Sequence, residues 1–468
     1  MKSSREQFSV ASAIAPDGPA ETSGISETPI DAAAVAPVHA LHVVAAGEYG
    51  GAEAQMLDLL QGLRADGVSV AVAVLFDAEF AQRAREAGIA VHVLQGGGLL
   101  RDYRALLDVA RRVRPRILHT HGVRASVAGR LVGARLRTPV VTTVHSDLYF
   151  DYAAPLKRSV FMALERATRG LSARVIAVSR PLADILRGRG YPAHKLVVVE
   201  NGLDIEAFDA RLRAGKDAQS AAATRDAHAA RAAADDAVVG ADTVDADENR
   251  VVADDSAPQA GGVDLRRSLG LSEETLVVLC VARLHPVKLH GVLIRAIGEV
   301  AREMDGAHLA LVGDGGERRA LQALAMEAAP GHVHFLGARS DVPALLLQAD
   351  VFALASRMEG LPISMLEAMA AQLPVVASRT GGLVDLVVDA GAGSAGDAAV
   401  REDATGFLCD PGSVEGLRAA LDVLLHDAAL RRKLGMAGRE RLLARFTKDA
   451  MVRRTVDVYK SVSVTHMA

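Results

Sequence analysis

From about residue 38 the chain alternates short apolar runs with longer amphipathic stretches, and this alternation constrains its fold more than any single residue does. "HALHVVAAG" leads into the helical "GAEAQMLDLLQGLRADG". Then come "VSVAVAVLF", "IAVHVLQ", "RPRILHTHG", "TPVVTTVHS", "ARVIAVS" and "KLVVVENG", each rich in β-branched residues and bounded by Gly, Pro, Ser or Asn. Strands apolar along their whole length need cover on both faces, and helical spacers supply the crossovers that parallel strands require. Residues 38–206 therefore read as one doubly wound parallel-sheet domain. The pattern resumes in "LVVLCVARL", "HLALVGDGG", "HVHFLG", "DVFALAS", "LPVVAS" and "GFLCDPG", a second such domain over 265–445. The fold class is α/β: two Rossmann-like domains facing across a cleft at the C-terminal ends of their strands, where such sheets bind ligands.

The remaining segments read differently. Residues 1–37 form a tail with no sustained apolar core, expected to be disordered and not a secretory signal. Residues 207–264 are Ala- and Asp-rich, with few large side chains to bury, and read as a low-complexity linker or insertion. Within the second domain "DAGAGSAGDAAVRE" (389–402) reads as a flexible insertion, and residues 446–468 as a closing amphipathic helix. A net charge of −4 provides no basic field to gather nucleic acid, so no nucleic-acid partner is expected. The two cysteines, Cys280 and Cys409, lie in apolar runs and read as buried, reduced thiols. No apolar run approaches the roughly 20 residues that cross a bilayer. A cytoplasmic location is expected, with at most a peripheral hold on the inner face of the cytoplasmic membrane.

Chemistry concentrates in the second domain. "MEGLPISMLEAMAAQLPVVAS" (358–378) sets Glu359 and Glu367 eight positions apart around Gly360 and Pro362. Proline suits the first turn of a helix, so Pro362 reads as the first helical residue, with Glu359 in the loop before it. An acid there also complements the helix dipole, the plainer reading of either glutamate taken alone. "ARLHPVKLHG" puts Arg283 and Lys288 on one strand-to-helix loop, as a solvated pair or as cations for a diphosphate. "LVGDGG" adds Gly313, Gly315 and Gly316, where a nucleotide can approach the backbone. The free N–H groups of Ile363 and Ser364 suit phosphate oxygens, whereas carboxylates repel phosphate and pair with hydroxyls. Together these features describe a nucleotide-sugar site. "DAD" (245–247) belongs to the low-complexity segment and is not read as a metal cradle.

These motifs resemble the retaining GT-B glycosyltransferases of family 4, the group 1 glycosyl transferases. The resemblance rests on the two glutamates in "EGLPISMLEAMA", the Arg283–Lys288 loop, "GGAE" (50–53) and "ENGLD" (200–204), and covers about residues 40–206 and 265–460. It implies that Arg283, Lys288, Gly50, Gly51, Leu361, Pro362, Ile363 and Ser364 hold a donor diphosphate and that Glu367 binds the ribose. Glu359 stands at the transferred sugar and His145 at the donor sugar or the acceptor, both as catalytic residues, and Arg339, Ser340, Asp341 and Val342 line the base pocket. It further implies transfer, with retention, from a UDP- or GDP-sugar to a glycan or lipid-linked acceptor, in bacterial polysaccharide, lipopolysaccharide or glycolipid synthesis. The nucleotide sugar is a co-substrate, with no cofactor and no metal. His119 and His121, in "HTHG" (119–122), read either as buried polar groups or as ligand contacts. One alternative shares the architecture, a non-hydrolysing nucleotide-sugar epimerase. Another, from a different class, is a dinucleotide-binding oxidoreductase, which the first loop, "AAGEYGGAE", disfavours by lacking G-x-G-x-x-G.

Overall fold

The computed structural model describes residues 39–45, 50–147, 149, 155–218, 220, 264–391 and 401–465. The expected tail, the "DAD" stretch and residues 392–400 of the expected insertion lie outside the described residues. The first sheet is built from β1 (Ala40–Val44), β2 (Val70–Val74), β3 (Ala90–Val93), β4 (Ile117–His121), β5 (Val140–Val144), β6 (Arg174–Ala177) and β7 (Leu196–Val198). All pairs are parallel, in the order β3-β2-β1-β4-β5-β6-β7. The second sheet holds β8 (Leu276–Val281), β9 (Ala307–Val312), β10 (Val333–Gly337), β11 (Val351–Leu354), β12 (Val375–Ser378) and β13 (Gly406–Cys409), also parallel, in the order β10-β9-β8-β11-β12-β13. Strand order reverses beside β1 in one sheet and beside β8 in the other. These switch points are where open parallel sheets form ligand crevices.

The apolar strand runs are buried as their composition requires; β1, β2, β4 and β5 are buried at every position. One face of the first sheet packs Leu41, Val43, Ala71 and Ala73 against Leu106, Val109 and Val132 of the helices Leu99–Val113 and Val123–Leu136. The other face packs Val44, Val72 and Ile117 against Met56, Leu60 and Leu63 of the helix Gly51–Ala65. It also carries Met451, Val452, Val458, Tyr459 and Val462, from the closing helix Lys448–Thr465. The last helix of the chain therefore completes the core of the first sheet. Gly62 permits its approach, since a Cβ there would lie 2.4 Å from Val452 Cγ2. Cys280 and Cys409 are free and buried, and burial pushes both thiols up to about 12.

"ENGLD" is where the chain leaves the first sheet and where the closing helix returns. Glu200 takes guanidinium groups from Arg445 and from Arg454, the latter at 2.6 Å. Asn201 Nδ2 donates to the Leu361 carbonyl at 2.9 Å, Leu203 bridges to Thr447, and Asp204 pairs with Lys448. The helix after this motif spans 205–218, beyond the point where the sequence reading begins the linker. Phe208 and Leu212, one turn apart, are buried in the second core, which is why the helix persists there. The rest of the expected linker, up to Asp264, lies outside the described residues except for residue 220.

Gly202 sits at the tightest point of this return. A Cβ there would meet Thr447 O at 2.1 Å and its carbonyl carbon at 2.4 Å, backbone atoms that have no side chain to swing away. Gly202→Ala is expected to destabilise the protein by about 1–3 kcal/mol, the usual cost of overpacking. Thermal unfolding of the variant measures it; an unchanged Tm would show that the return adapts.

Candidate functional site

Because every strand of both sheets is parallel, the loops that follow the strands open on one edge of each sheet. The helix Ile363–Ala370 follows β11 and is held by buried Met365, Leu366 and Met369. It begins one residue later than the sequence reading places it: Pro362 is the N-cap, with extended φ −73° and ψ 131°. Proline fixes φ but leaves ψ free, so it closes the loop as readily as it opens a helix. No side chain caps this helix. Its start faces the start of the helix Gly51–Ala65, since a Cβ on Gly51 would lie 3.6 Å from Ile363 Cβ. Two helix N-termini thus approach each other across the cleft, each with a partial positive charge and N–H groups free of helical partners. Gly50 caps the first of them, its N–H donating to Glu53 Oε2 at 3.1 Å.

Glu359 is buried in the loop before the second helix. Its Oε1 accepts from Lys288 Nζ at 2.5 Å and from Ser356 Oγ at 2.5 Å. The two sequence candidates are therefore in direct contact, joining the loop after β8 to the loop after β11. The adjoining residues carry the junction between domains. A Cβ on Gly360 would lie 1.8 Å from His145 O, and Arg180 N–H donates to Asp385 Oδ2 at 2.7 Å. Only glycine at 360 lets the first domain's β5 loop touch this turn. Gly382 N–H donates to Glu359 O at 3.0 Å, which fixes the turn from behind.

Glu367 is half-buried on the helix itself. Burial raises its pKa to about 7; Arg211 opposes that rise and Asp58, from the first domain's helix, adds to it. Asp58 is raised to about 6 by burial and Asp204, against Lys448 and Arg211. Arg283 lies on the β8 loop, where Leu284 N–H donates to Asp314 O at 2.9 Å and Gly313 and Gly315 pack against Ala282 O and Leu284 O. Arg339 and Asp341, after β10, bind each other in a bidentate pair at 2.8 and 2.6 Å, with Asp341 capping the short helix Val342–Leu346 and Ser340 between them. His145 follows β5, and its Nε2 meets His121 Nδ1 at 3.1 Å. His119 and His121 are fully buried polar groups, hydrogen-bonded within the first domain. His42, His119 and His121 bring ligand nitrogens within 4.8 Å of one another, but every ring nitrogen of the three already has a protein partner.

Asp58, Ser356 and His42 escaped the sequence reading, and Asn201 entered it only within "ENGLD", without a role. Asp58, Asn201 and His42 act on residues more than a hundred positions away, and Ser356 acts through a local bond to Glu359, three residues on, that leaves no pattern.

Two Rossmann-like domains whose crossover loops meet over a pair of helix N-termini have the GT-B architecture. The family model described as "Glycosyltransferase Family 4" matches residues 49–207, and that described as "Glycosyl transferases group 1" matches residues 264–441. The chain belongs to glycosyltransferase family 4. Among solved structures it is similar to Anabaena HepE in complex with UDP-glucose, at TM-score 0.67 and 21% identity over 90% of this chain and 99% of that one. Sucrose-phosphate synthase from Thermosynechococcus elongatus has TM-score 0.65 and 20% identity over 91% and 100% of the two chains. Among curated proteins, a Mycobacterium tuberculosis GDP-mannose-dependent alpha-(1-6)-phosphatidylinositol monomannoside mannosyltransferase is 34% identical over 204 residues, 42% of this chain and 49% of its own length. The N-acetyl-alpha-D-glucosaminyl L-malate synthase of Bacillus anthracis is 30% identical over 199 residues, with the same 42% and 49% coverage. The match thus spans about half the length of these curated relatives. Among the described residues, no helix is long and apolar enough to cross a membrane.

The raised acids set a pH dependence. Glu367 has an ordinary value near 4.5 and a folded value of about 7, so in that window the folded protein holds a proton that the unfolded chain has released. The stability this contributes is complete below about 4.5 and is lost as pH rises through about 7; Asp58 adds the same sign up to about 6. The buried histidines, held neutral in the fold, shift stability the opposite way in both proteins, so the difference isolates the acid: the Tm of the unliganded protein relative to that of Glu367→Gln is expected to fall between about pH 5 and pH 8. Equal slopes in the two proteins would overturn the assignment.

Proposed function

We propose that the protein transfers a sugar from a nucleoside diphosphate donor to a glycan or lipid-linked acceptor, with retention at the anomeric carbon. The observation that carries this reading is the meeting of the helices starting at Gly51 and Ile363 beside the Lys288–Glu359 pair. Two helix N-termini and a lysine make a diphosphate cradle, while the carboxylates of Glu359 and Glu367 are suited to hydroxyls on either side of it. In this reading Arg283, Lys288, Gly50, Gly51 and the Leu361–Ser364 turn take the diphosphate, and Glu367 takes the ribose. Arg339 to Val342 flank the base. Glu359 and His145 face the transferred sugar.

Lys288 is shared between Glu359 and an incoming phosphate. As the glycosidic C–O bond breaks, negative charge grows on the leaving diphosphate and positive charge on the sugar; Lys288 and Glu359 each stabilise one of them, in a buried site where charge interactions are strong. The acceptor hydroxyl attacks the anomeric carbon from the leaving-group face, and its proton passes to the departing phosphate. No divalent metal is required in this scheme, because cations and helix dipoles supply the positive charge. Of the relatives named above, the mannosyltransferase is GDP-mannose-dependent and HepE was solved with UDP-glucose, which supports a nucleoside diphosphate sugar without choosing the base. The epimerase alternative finds no support among them.

A panel of UDP- and GDP-sugars with bacterial membrane extract as acceptor source tests the reading. Nucleoside diphosphate release dependent on extract, equal in EDTA and in magnesium, is the expected result. A donor converted to its epimer without extract, or activity abolished by EDTA, would count against it.

Glu359 and Glu367 should separate kinetically. An interaction that strengthens in the transition state changes kcat, and one that is uniform changes KM. Glu359→Gln is expected to lower kcat by one to several powers of ten, about 1.4 kcal/mol for each. Glu367→Gln is expected to raise chiefly the donor KM. Identical effects of the two substitutions on kcat and KM would remove the distinction.

A further inference from the structure

Behind His145 the first domain holds an unbroken line of polar groups inside an apolar core. Thr143 Oγ1 lies 2.7 Å from His119 Nε2, and His119 Nδ1 lies 2.7 Å from the Tyr459 hydroxyl. That hydroxyl is 3.0 Å from His42 Nε2, His42 Nδ1 is 3.0 Å from His121 Nε2, and His121 Nδ1 is 3.1 Å from His145 Nε2. The line ends at His145 Nδ1, which is buried and has no partner among the described residues. His42, His119, His121 and Thr143 come from β1, β4 and β5, but Tyr459 comes from the closing helix, 340 positions from His119. We propose that this line fixes which ring nitrogen of His145 carries the proton, so that Tyr459 is a positioning residue for the active site.

Burial holds His42 at about 3 and His145 at about 4, with His119 and His121 well below their ordinary value, so all four rings are neutral. A neutral imidazole has one donor and one acceptor nitrogen, so each ring transmits a direction to the next. Two directions are open. In one, Thr143 donates to His119, His119 to Tyr459, Tyr459 to His42, His42 to His121 and His121 to His145. In the other every bond is reversed, and Thr143 must accept from His119. Its own O–H then has no acceptor, because Thr143 has no other side-chain partner among the described residues. His145 Nδ1 has no partner in either direction, as a donor in the first and as an acceptor in the second, so the Thr143 hydroxyl decides: the second direction adds a buried O–H without an acceptor, and the first direction wins. It leaves the proton of His145 on Nδ1 and makes that unpartnered nitrogen a hydrogen-bond donor. This step rests on the reading that His145 faces the transferred sugar, where a donor suits a sugar oxygen.

The test uses the full chain labelled with nitrogen-15 histidine, without ligand, and reads the two ring nitrogens of His145 by NMR. In the wild type a single Nδ1–H tautomer is expected. Tyr459→Phe keeps the ring and deletes the hydroxyl; it should give a mixture of tautomers and lower kcat by about tenfold with the donor KM unchanged. Thr143→Val deletes the group that sets the direction and should give the same mixture, which keeps the test available if Tyr459→Phe does not fold. Val462→Ala, on the same helix and buried in the same core but off the line, should lower Tm while leaving tautomer and kcat unchanged. A wild-type His145 protonated on Nε2, or a spectrum indifferent to Tyr459 and Thr143, overturns the proposal. Unchanged sugar transfer in His145→Gln would instead overturn the role given to His145 and leave the spectral result standing.

Discussion

Parallel pairing is the constraint on which the structure depends. A parallel strand is reached only by a crossover, so all crossovers in a sheet leave from the same edge and all loops of one kind collect there. In this chain two such edges face each other. The β8, β9 and β11 loops then pack together by backbone contact: a Cβ at Gly313 or Gly315 would fall 2.1 or 2.3 Å from a carbonyl oxygen of the β8 loop. Lys288 reaches Glu359 because β8 and β11 are neighbours in the sheet, although 71 positions separate the two residues.

The two sheets are held in that relation by a short motif and a long helix. "ENGLD" supplies Glu200 and Asp204 to cations of the last two helices, Asn201 to the Leu361 carbonyl, and at Gly202 a backbone bare enough to touch Thr447. It thereby connects the return of the closing helix to the turn that begins the phosphate-side helix. Glu200 is almost fully buried, so desolvation offsets much of its attraction to the two arginines, but loss of either would leave a buried charge poorly compensated. The same closing helix brings Tyr459 into the core of the first sheet. The junction between the domains and the hydrogen-bond line to His145 therefore draw on one element.

The two parallel-sheet, Rossmann-like halves were legible from period and composition, since β-branched runs with helical spacers have few other ways to bury themselves; the order of the strands within each sheet was not. The clustering of Glu359, Lys288 and the Ile363 turn was legible in part: the residue types and loop positions were evident, the salt bridge was not. The start of the helix moved from Pro362 to Ile363 because proline restricts only one of the two dihedrals. The linker boundary moved because Phe208 and Leu212 find cover in a domain that begins more than fifty residues later in the chain. "ENGLD" was recognisable only as a motif of the family, and its structural work depends on Arg445, Lys448 and Arg454, which no local pattern links to it.

The sequence by itself determined the elements and the chemistry available at their ends. Apolar periodicity dictates which residues are buried, and loop residue types dictate what can be bound. Tertiary structure alone decided the partners: Asp58 beside Glu367, Lys288 on Glu359, and the line from Thr143 through Tyr459 to His145. The physical reason is range. Periodicity is written over neighbours a few residues apart, whereas hydrogen bonds and charges act between atoms a few ångströms apart, and only the folded chain makes those two kinds of distance coincide.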